Sequence, residues 1–284
     1  MLNGIDTASY QAGLNPAKVP MDFNIVKATQ GTRYINPDFI RMSSSTLEAG
    51  HLLGIYHYAE GGNATKEADF FIKIAGPYIG KGILALDWEG DDNPTFGSGK
   101  DVEWCYEFCS RVKAKTGITP FIYMSKVVCR RWNWKLCADE FPLWCAQYAN
   151  NSRTGYQGNP WTDAGGFGAW KKAIIYQYSS KGRLAGWNAN LDLDIAYLTK
   201  DEWLAYAKGG VKKPVEIKFP DKSDNDLAVE VLFRAHGDGD ARKKSLGERY
   251  GSVQIEVNRL LQNTAVALTA TRQYLKKFGC DKLI

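Results

Sequence analysis

Eight short apolar segments along the first two-thirds of the chain, separated by stretches of helical periodicity, constrain its fold more than any other feature. They fall at residues 4–6, 23–28, 53–58, 83–88, 119–124, 143–147, 174–178 and 191–195. Helices are predicted between them over 37–49, 64–79, 100–116 and 126–132, the second opened by Asn63 as a side-chain cap. Short apolar runs read as strands buried on both faces, and strands that alternate with helices pair in parallel. Eight such strands predict closure into a barrel. The stretch 150–170 is rich in Gly and Asn and lacks helical periodicity, so fewer helices than strands are expected. The predicted class is therefore α/β, an irregular eight-stranded β/α barrel, followed by a small all-helical bundle.

The boundary between the two parts is compositional. Residues 208–223, from Lys208-Gly209-Gly210 through Pro214 to Phe219-Pro220-Asp221-Lys222-Ser223, read as a linker between a domain at 1–207 and a second at 224–284. Beyond the linker, Leu227, Val231 and Leu232 recur at helical spacing. A Gly-Asp-Gly turn at 237–239 leads to a second helix from Asp240, and a third over 252–261 puts Val253, Val257, Leu260 and Leu261 on one face. Such a bundle is near the lower size limit of independent stability. Val266, Leu268 and Leu275 further on are expected to bury against a second copy of the chain, which implies self-association.

Charge separates the same two parts. Residues 1–207 carry 21 Lys/Arg and 21 Asp/Glu, whereas 208–284 carry 15 and 10, so the tail holds the whole net charge of +5. This draws the tail toward anionic surfaces. It has no tight Lys/Arg run and no aromatic RNA-binding signature, so nucleic acid is not an expected partner. No 18-residue apolar run is present, so no membrane span is expected. The cysteines at 105, 109, 129, 137, 145 and 280 form no CxxC pair and fit neither a zinc site nor a disulfide framework. They read as buried free thiols made in a reducing cytoplasm. The first residues enter a strand pattern with no basic-then-apolar leader, so no secretory signal is expected.

The chemistry concentrates at strand ends. Ile83-Leu84-Ala85-Leu86-Asp87-Trp88-Glu89-Gly90 is an apolar strand ending in two acids, and side chains two apart share a face. Paired carboxylates on a sheet rim are the minimum equipment for splitting a glycosidic bond. The structural alternative is a loop-capping Asp with a salt-bridged Glu. Asp6 ends the first strand, and Asp192 and Asp194 lie in the eighth. First and eighth strands are neighbours in a closed barrel and the fourth lies opposite, so the acids converge on one cavity. Tyr56, Tyr58, Tyr123, Trp144, Tyr148, Tyr176 and Tyr178 recur at the same end and offer flat faces for sugar rings, with core packing as the alternative for each. His51, His57 and His236 assemble no catalytic or zinc set, and His57 between two tyrosines reads as structural.

Several segments together resemble a known family. Gly4-Ile5-Asp6-Thr7-Ala8-Ser9-Tyr10-Gln11, Ile25-Val26-Lys27-Ala28-Thr29-Gln30-Gly31-Thr32, Gly54-Ile55-Tyr56-His57-Tyr58 and Asp87-Trp88-Glu89 are similar to glycoside hydrolase family 25. So are Leu143-Trp144-Cys145-Ala146-Gln147-Tyr148 and Tyr176-Gln177-Tyr178-Ser179-Ser180-Lys181-Gly182, which extends the resemblance over residues 1–207 in order. These are the Chalaropsis-type lysozymes common among phage endolysins. The resemblance implies a β-1,4-N-acetylmuramidase acting on bacterial peptidoglycan, with no cofactor and no metal. It carries Glu89 onto the general acid/base, Asp6, Asp87 and Asp192 onto its acidic companions, and Lys27 and Gln147, beside the aromatic set, onto substrate binding. The family's late Asp-x-Asn element falls on Asp192-Leu193-Asp194, where Asp194 replaces the Asn, and a carboxylate cannot donate as an amide does.

Under that reading Glu89 holds its proton near neutral pH through partial burial and the field of Asp87, while Asp6 and Asp87 stay ionised. The attacking group is left open between an enzyme carboxylate and the substrate's 2-acetamido oxygen. Substrate assistance is preferred, because Asp87 shares a face with Glu89.

The tail resembles the short wall-binding repeat of pneumococcal phage lysins. Asn225-Asp226-Leu227-Ala228-Val229-Glu230-Val231-Leu232, Gly237-Asp238-Gly239-Asp240-Ala241-Arg242-Lys243 and Leu246-Gly247 carry the likeness over 224–262 as one copy, with Ala235-His236 where an aromatic is usual. The implied ligand is a muropeptide, held at the turn of Gly237 and Gly239, with Arg242 on a carboxylate or else paired within the bundle. The combined expectation is a phage endolysin made in the host cytoplasm without a signal peptide and acting on the wall after a holin releases it. The competing readings are a catalytically silent peptidoglycan-binding protein and a chitinase-like hydrolase.

Overall fold

Burial on both faces turns the apolar runs into strands of one closed sheet. The computed structural model describes residues 1–209, 223–232, 236 and 238–262. In chain order the barrel comprises β1 (Leu2–Thr7), β2 (Phe23–Gln30), β3 (Tyr34–Ile35), α1 (Phe39–Glu48), β4 (Leu52–Tyr58), α2 (Ala64–Ala75), β5 (Gly82–Asp87) and α3 (Asp101–Thr116). There follow β6 (Phe121–Ser125), α4 (Lys126–Arg131), α5 (Lys135–Ala138), β7 (Leu143–Ala146), β8 (Ile175–Gly182), β9 (Leu191–Ala196) and α6 (Lys200–Lys208). Eight strands close in the order β1, β2, β4, β5, β6, β7, β8, β9 and back to β1, and β3 is a two-residue spur on β2. The expected Asn63 cap is present, its side chain accepting from the Lys66 amide at 2.9 Å.

One expectation about the sheet needs correction. β9 runs antiparallel to both of its neighbours, β8 and β1. Only residues 183–190 separate it from β8, and a parallel crossover needs a dozen residues or more. The reversal places the start of β9, rather than its end, at the mouth of the barrel. Asp192 therefore pairs with Asp6 at the rim, and Asp194 lies one layer deeper, opposite Gly4.

Alternation along each strand builds two apolar layers. Phe23, Ile25, Ile83, Ala85, Phe121, Ile175 and Ala196 fill the barrel, while Ile5, Val26, Leu53, Ile55, Leu84, Leu86 and Ile122 pack outward against the helices. Gly4 faces inward, and a β-carbon there would meet the Phe23 ring at 2.3 Å. The amino-terminal end of the barrel is closed by α6, whose fully buried Trp203 lies 4.6 Å from Phe23 and donates its indole N–H to the Leu53 carbonyl at 3.1 Å. Thr199 and Glu202 form a capping box that starts this helix. His57 points outward, as its structural reading requires: its ring stacks on Phe108 at 4.9 Å and sits between Thr29 Oγ1 (2.8 Å) and Glu67 Oε2 (3.0 Å). Cys105, Cys109, Cys129, Cys137 and Cys145 are buried free thiols, and Cys280 lies outside the described residues.

The C-terminal bundle comprises α7 (Asp224–Leu232), α8 (Gly239–Leu246) and α9 (Tyr250–Gln262). Its core is Ala228, Val229, Val231, Leu246, Val253, Val257 and Leu260. Leu261, placed by periodicity on the buried face, is exposed instead. His236 links α7 to α8, with Nε2 3.1 Å from Glu230 Oε2 and Nδ1 2.9 Å from Ser245 Oγ. Gly237, most of the linker and the apolar residues proposed for self-association fall outside the described residues. No helix among the described residues is long and apolar enough to cross a membrane.

Candidate active site

The alternation that buries Trp88 outward turns its neighbours inward. The Trp88 ring lies 4.9 Å from Trp104 and its N–H donates to Asp101 Oδ1 at 3.2 Å. Asp101 also accepts from the amides of Gly97 and Gly99, which ties the loop after β5 to α3. Asp87 and Glu89 consequently project into a cleft of about 420 Å³ at the carboxyl ends of the parallel strands. Asp6 and Asp192 reach it from the opposite wall, with Tyr56, Tyr58, Tyr123, Trp144, Tyr148 and Lys27 also lining it. A larger open groove of about 890 Å³ lies at the other end of the barrel, where Asp139 and Glu140 are already paired with Lys135 and Lys113.

Three residues expected in the cleft lie elsewhere. Gln147 points outward, donating to Asp163 Oδ2 at 2.6 Å and accepting from Thr162 Oγ1 at 3.0 Å. Tyr176 also faces outward, its hydroxyl near the carbonyls of Gln147 and Trp161 at 3.1 and 2.9 Å. Tyr178 shares that outer face. With the buried Lys126, whose ammonium bonds Thr162 and Asp163, Gln147 and Tyr176 anchor the loop that follows β7. The inward residue of β8 is Gln177, flanked by the two tyrosines, and strand parity marks it in the sequence. Gln177 Oε1 accepts from Tyr123 (2.9 Å) and Tyr148 (2.5 Å), which leaves its amide to donate to Asp6 Oδ2 at 2.6 Å. Tyr10, Gln11, Gln30, Asp91 and Asp92 also line the cleft; Tyr10, Gln11 and Gln30 stand in segments that carry the family resemblance, while Asp91 and Asp92 had no mark beyond loop position. In the bundle, Arg242 bonds Gln254 at 3.1 Å and Asp238 at 2.7 Å, which is the internal pairing, and Gly239 opens α8.

The cleft favours protonated acids. Burial raises the pKa of Glu89, the charges of Asp91 and Asp192 raise it further, and Lys27 opposes them. Asp87 and Glu89 also repel each other; burial and then Glu89 push Asp87 well up, and its Oδ1 is buried without a hydrogen-bond partner. Asp6 is also raised well above the usual range, by burial and then by Asp192 and Asp194. The expectation that Asp6 and Asp87 stay ionised is therefore opposed by their surroundings. Asp192 is pushed up to about 6 by burial, with Lys181 favouring its charged form. Lys27 donates to Gln30 at 2.8 Å and lies 4.4 Å from the Tyr58 ring centroid, and burial lowers its pKa. No group of three or more metal-binding side chains occurs among the described residues.

The chain is similar to known proteins in sequence and in fold. An N,O-diacetylmuramidase from Chalaropsis sp is 29% identical over 222 residues, spanning 70% of this chain and 98% of that protein. The lysozyme of Streptococcus phage Cp-9 is 30% identical over 134 residues, 45% of this chain and 37% of its own. The solved muramidase from Trichobolus zukalii is 27% identical with a TM-score of 0.59, covering 74% of this chain and all of that one. In the tail, the CW_7 repeat matches residues 225–261. The description of the glycosyl hydrolases family 25 matches residues 5–187, more than half of the chain, and the protein belongs to that family.

Proposed function

We propose that this lysozyme-type glycoside hydrolase is a phage endolysin whose Glu89 is the general acid/base cleaving the β-1,4 bond between N-acetylmuramic acid and N-acetylglucosamine. The observation that carries the assignment is the setting of Glu89: half-buried at the cleft rim, raised in pKa, and across the barrel from Asp192. A protonated Glu89 donates to the leaving glycosidic oxygen. Asp192, with Lys181 favouring its charged form, supplies negative charge as positive charge develops on the sugar. Glu89, now a carboxylate, then takes the proton of the incoming water. Tyr10, Tyr58 and Tyr148 offer ring faces along the cleft. The likeness to the phage Cp-9 lysozyme and the CW_7 repeat support the endolysin reading, in which the barrel (1–207) cuts and the bundle (224–284) holds the peptidoglycan.

Glu89→Gln keeps the shape of the side chain and removes its acid. The expected outcome is a fall in cell-wall clearing of about 10³-fold or more, with wall binding retained. Unchanged lysis removes Glu89 from the role. Reducing-end analysis of wild-type digests decides the substrate: new muramic acid ends identify a muramidase, and glucosamine ends alone identify a chitinase-like cut.

A further inference from the structure

Beneath the rim, the acid at 194 meets Asp6 in an arrangement that leaves one oxygen without a donor. Asp194 Oδ1 accepts the Trp144 indole N–H at 2.8 Å. Its Oδ2 is buried, and no N–H or hydroxyl reaches it among the described residues. On the other acid, Asp6 Oδ2 accepts from the Gln177 amide, whose own oxygen is saturated by two tyrosine hydroxyls. Asp194 stands opposite Gly4 and Gln177 in the sheet, and Asp6 shares the inward face of β1 with Gly4, so the two carboxyl groups are neighbours inside the barrel. Two carboxylates cannot hydrogen-bond each other, because neither has a hydrogen to give. We infer that Asp6 and Asp194 hold a single proton between their facing oxygens, so that the pair carries one negative charge and Asp194 positions Asp6 as an asparagine amide would.

The surroundings reinforce this. Asp192 on β9 faces the pair with like charge. Tyr56 from β4, Tyr123 from β6 and Tyr148 after β7 line the cleft with Asp6, and Tyr156 and Tyr178 lie within electrostatic range of Asp194. All are neutral hydroxyls. Asp87 at the end of β5 and Glu89 just after it add negative charge across the cleft, and Lys27 on β2 acts on both. Among the described residues no lysine or arginine ion-pairs with Asp6 or Asp194. A proton is the remaining way to limit the charge. Burial pushes Asp194 up to about 7.

The sign of the linkage follows. Above the ordinary carboxylate pKa of about 4 the folded pair retains a proton that the unfolded chain has lost, so its contribution to stability declines as pH rises until the folded pair gives that proton up. Asp194→Asn replaces the shared proton with an amide hydrogen at the same net charge. Asp6→Asn does so from the other side. The full-length wild type and both variants are melted from pH 4 to pH 8.5 at constant ionic strength. The expected result is that each variant's Tm relative to wild type climbs by several degrees as pH rises from 4. A Tm difference independent of pH in either variant overturns the proposal, and if one variant does not fold, the other decides alone. The readout involves no turnover, so its failure is distinct from a failure of Glu89 as the catalytic acid.

Discussion

Lys27 reaches toward Asp87 and Glu89 from β2, and its charge lowers the pKa of both against the burial that raises them. Lys27→Met removes that field. A general acid works only while protonated, so a higher pKa at Glu89 extends activity to higher pH. The alkaline limb of kcat/KM is expected to move up by about half a pH unit, as befits one partly screened charge. A limb that stays in place or moves down separates Lys27 from the proton on Glu89. At this scale the sequence was informative wherever strand parity was respected. Asp87 and Glu89 on one face, and Trp88 on the other, follow from alternation alone. The same rule applied to β7 puts Trp144 and Tyr148 together and Gln147 behind them. Applied to β8, it selects Gln177 over Tyr176 and Tyr178. Gln147, drawn from the resemblance, and Tyr176, drawn from its aromatic ring, were misplaced because neither choice took account of phase.

Among the elements, strand positions and the major helices were legible because two-sided burial and helical periodicity leave clear patterns. Direction was harder, because a period of two reads the same both ways. The reversal of β9 was recorded only in the length of the connection after β8. α6 was missed, although Thr199 and Glu202 spell its capping box. That helix matters to the whole barrel, since Trp203 closes the end opposite the cleft and is wholly buried. Trp203→Ala opens a cavity against Phe23 and frees the Leu53 carbonyl, at a cost of about 3–5 kcal/mol. The expected fall in Tm is about 10 °C, read by calorimetry, with kcat/KM at low temperature within about twofold of wild type. A shift of a degree or less denies α6 its role as the closing element.

For the whole molecule, the two parts have separate apolar cores and differ in charge, the barrel balanced and the tail basic. The barrel's inner layer is complete by Ala207, and Gly209 caps α6 with φ +70°, its amide bonded to the carbonyls of Ala205 and Tyr206. The bundle packs around its own seven buried residues. All of the net positive charge lies from residue 208 onward. Ending the chain after Gly209 therefore keeps every residue of the barrel's apolar layers and removes the basic, CW_7-matching part. The truncated barrel is expected to melt as the barrel does in the full chain and to cleave soluble glycan fragments with kcat/KM unchanged. On intact cells its lytic rate should fall about tenfold, because tethering raises the local concentration of enzyme at the wall. Salt discriminates the cause. If charge attracts the tail, raising salt from 0.05 to 0.5 M brings the full-length rate down toward the truncated one, since the field is then screened within a few ångströms. If the bundle recognises a muropeptide by shape and hydrogen bonds, the gap persists. Equal wall binding by the two proteins, at any salt, removes the bundle from targeting altogether.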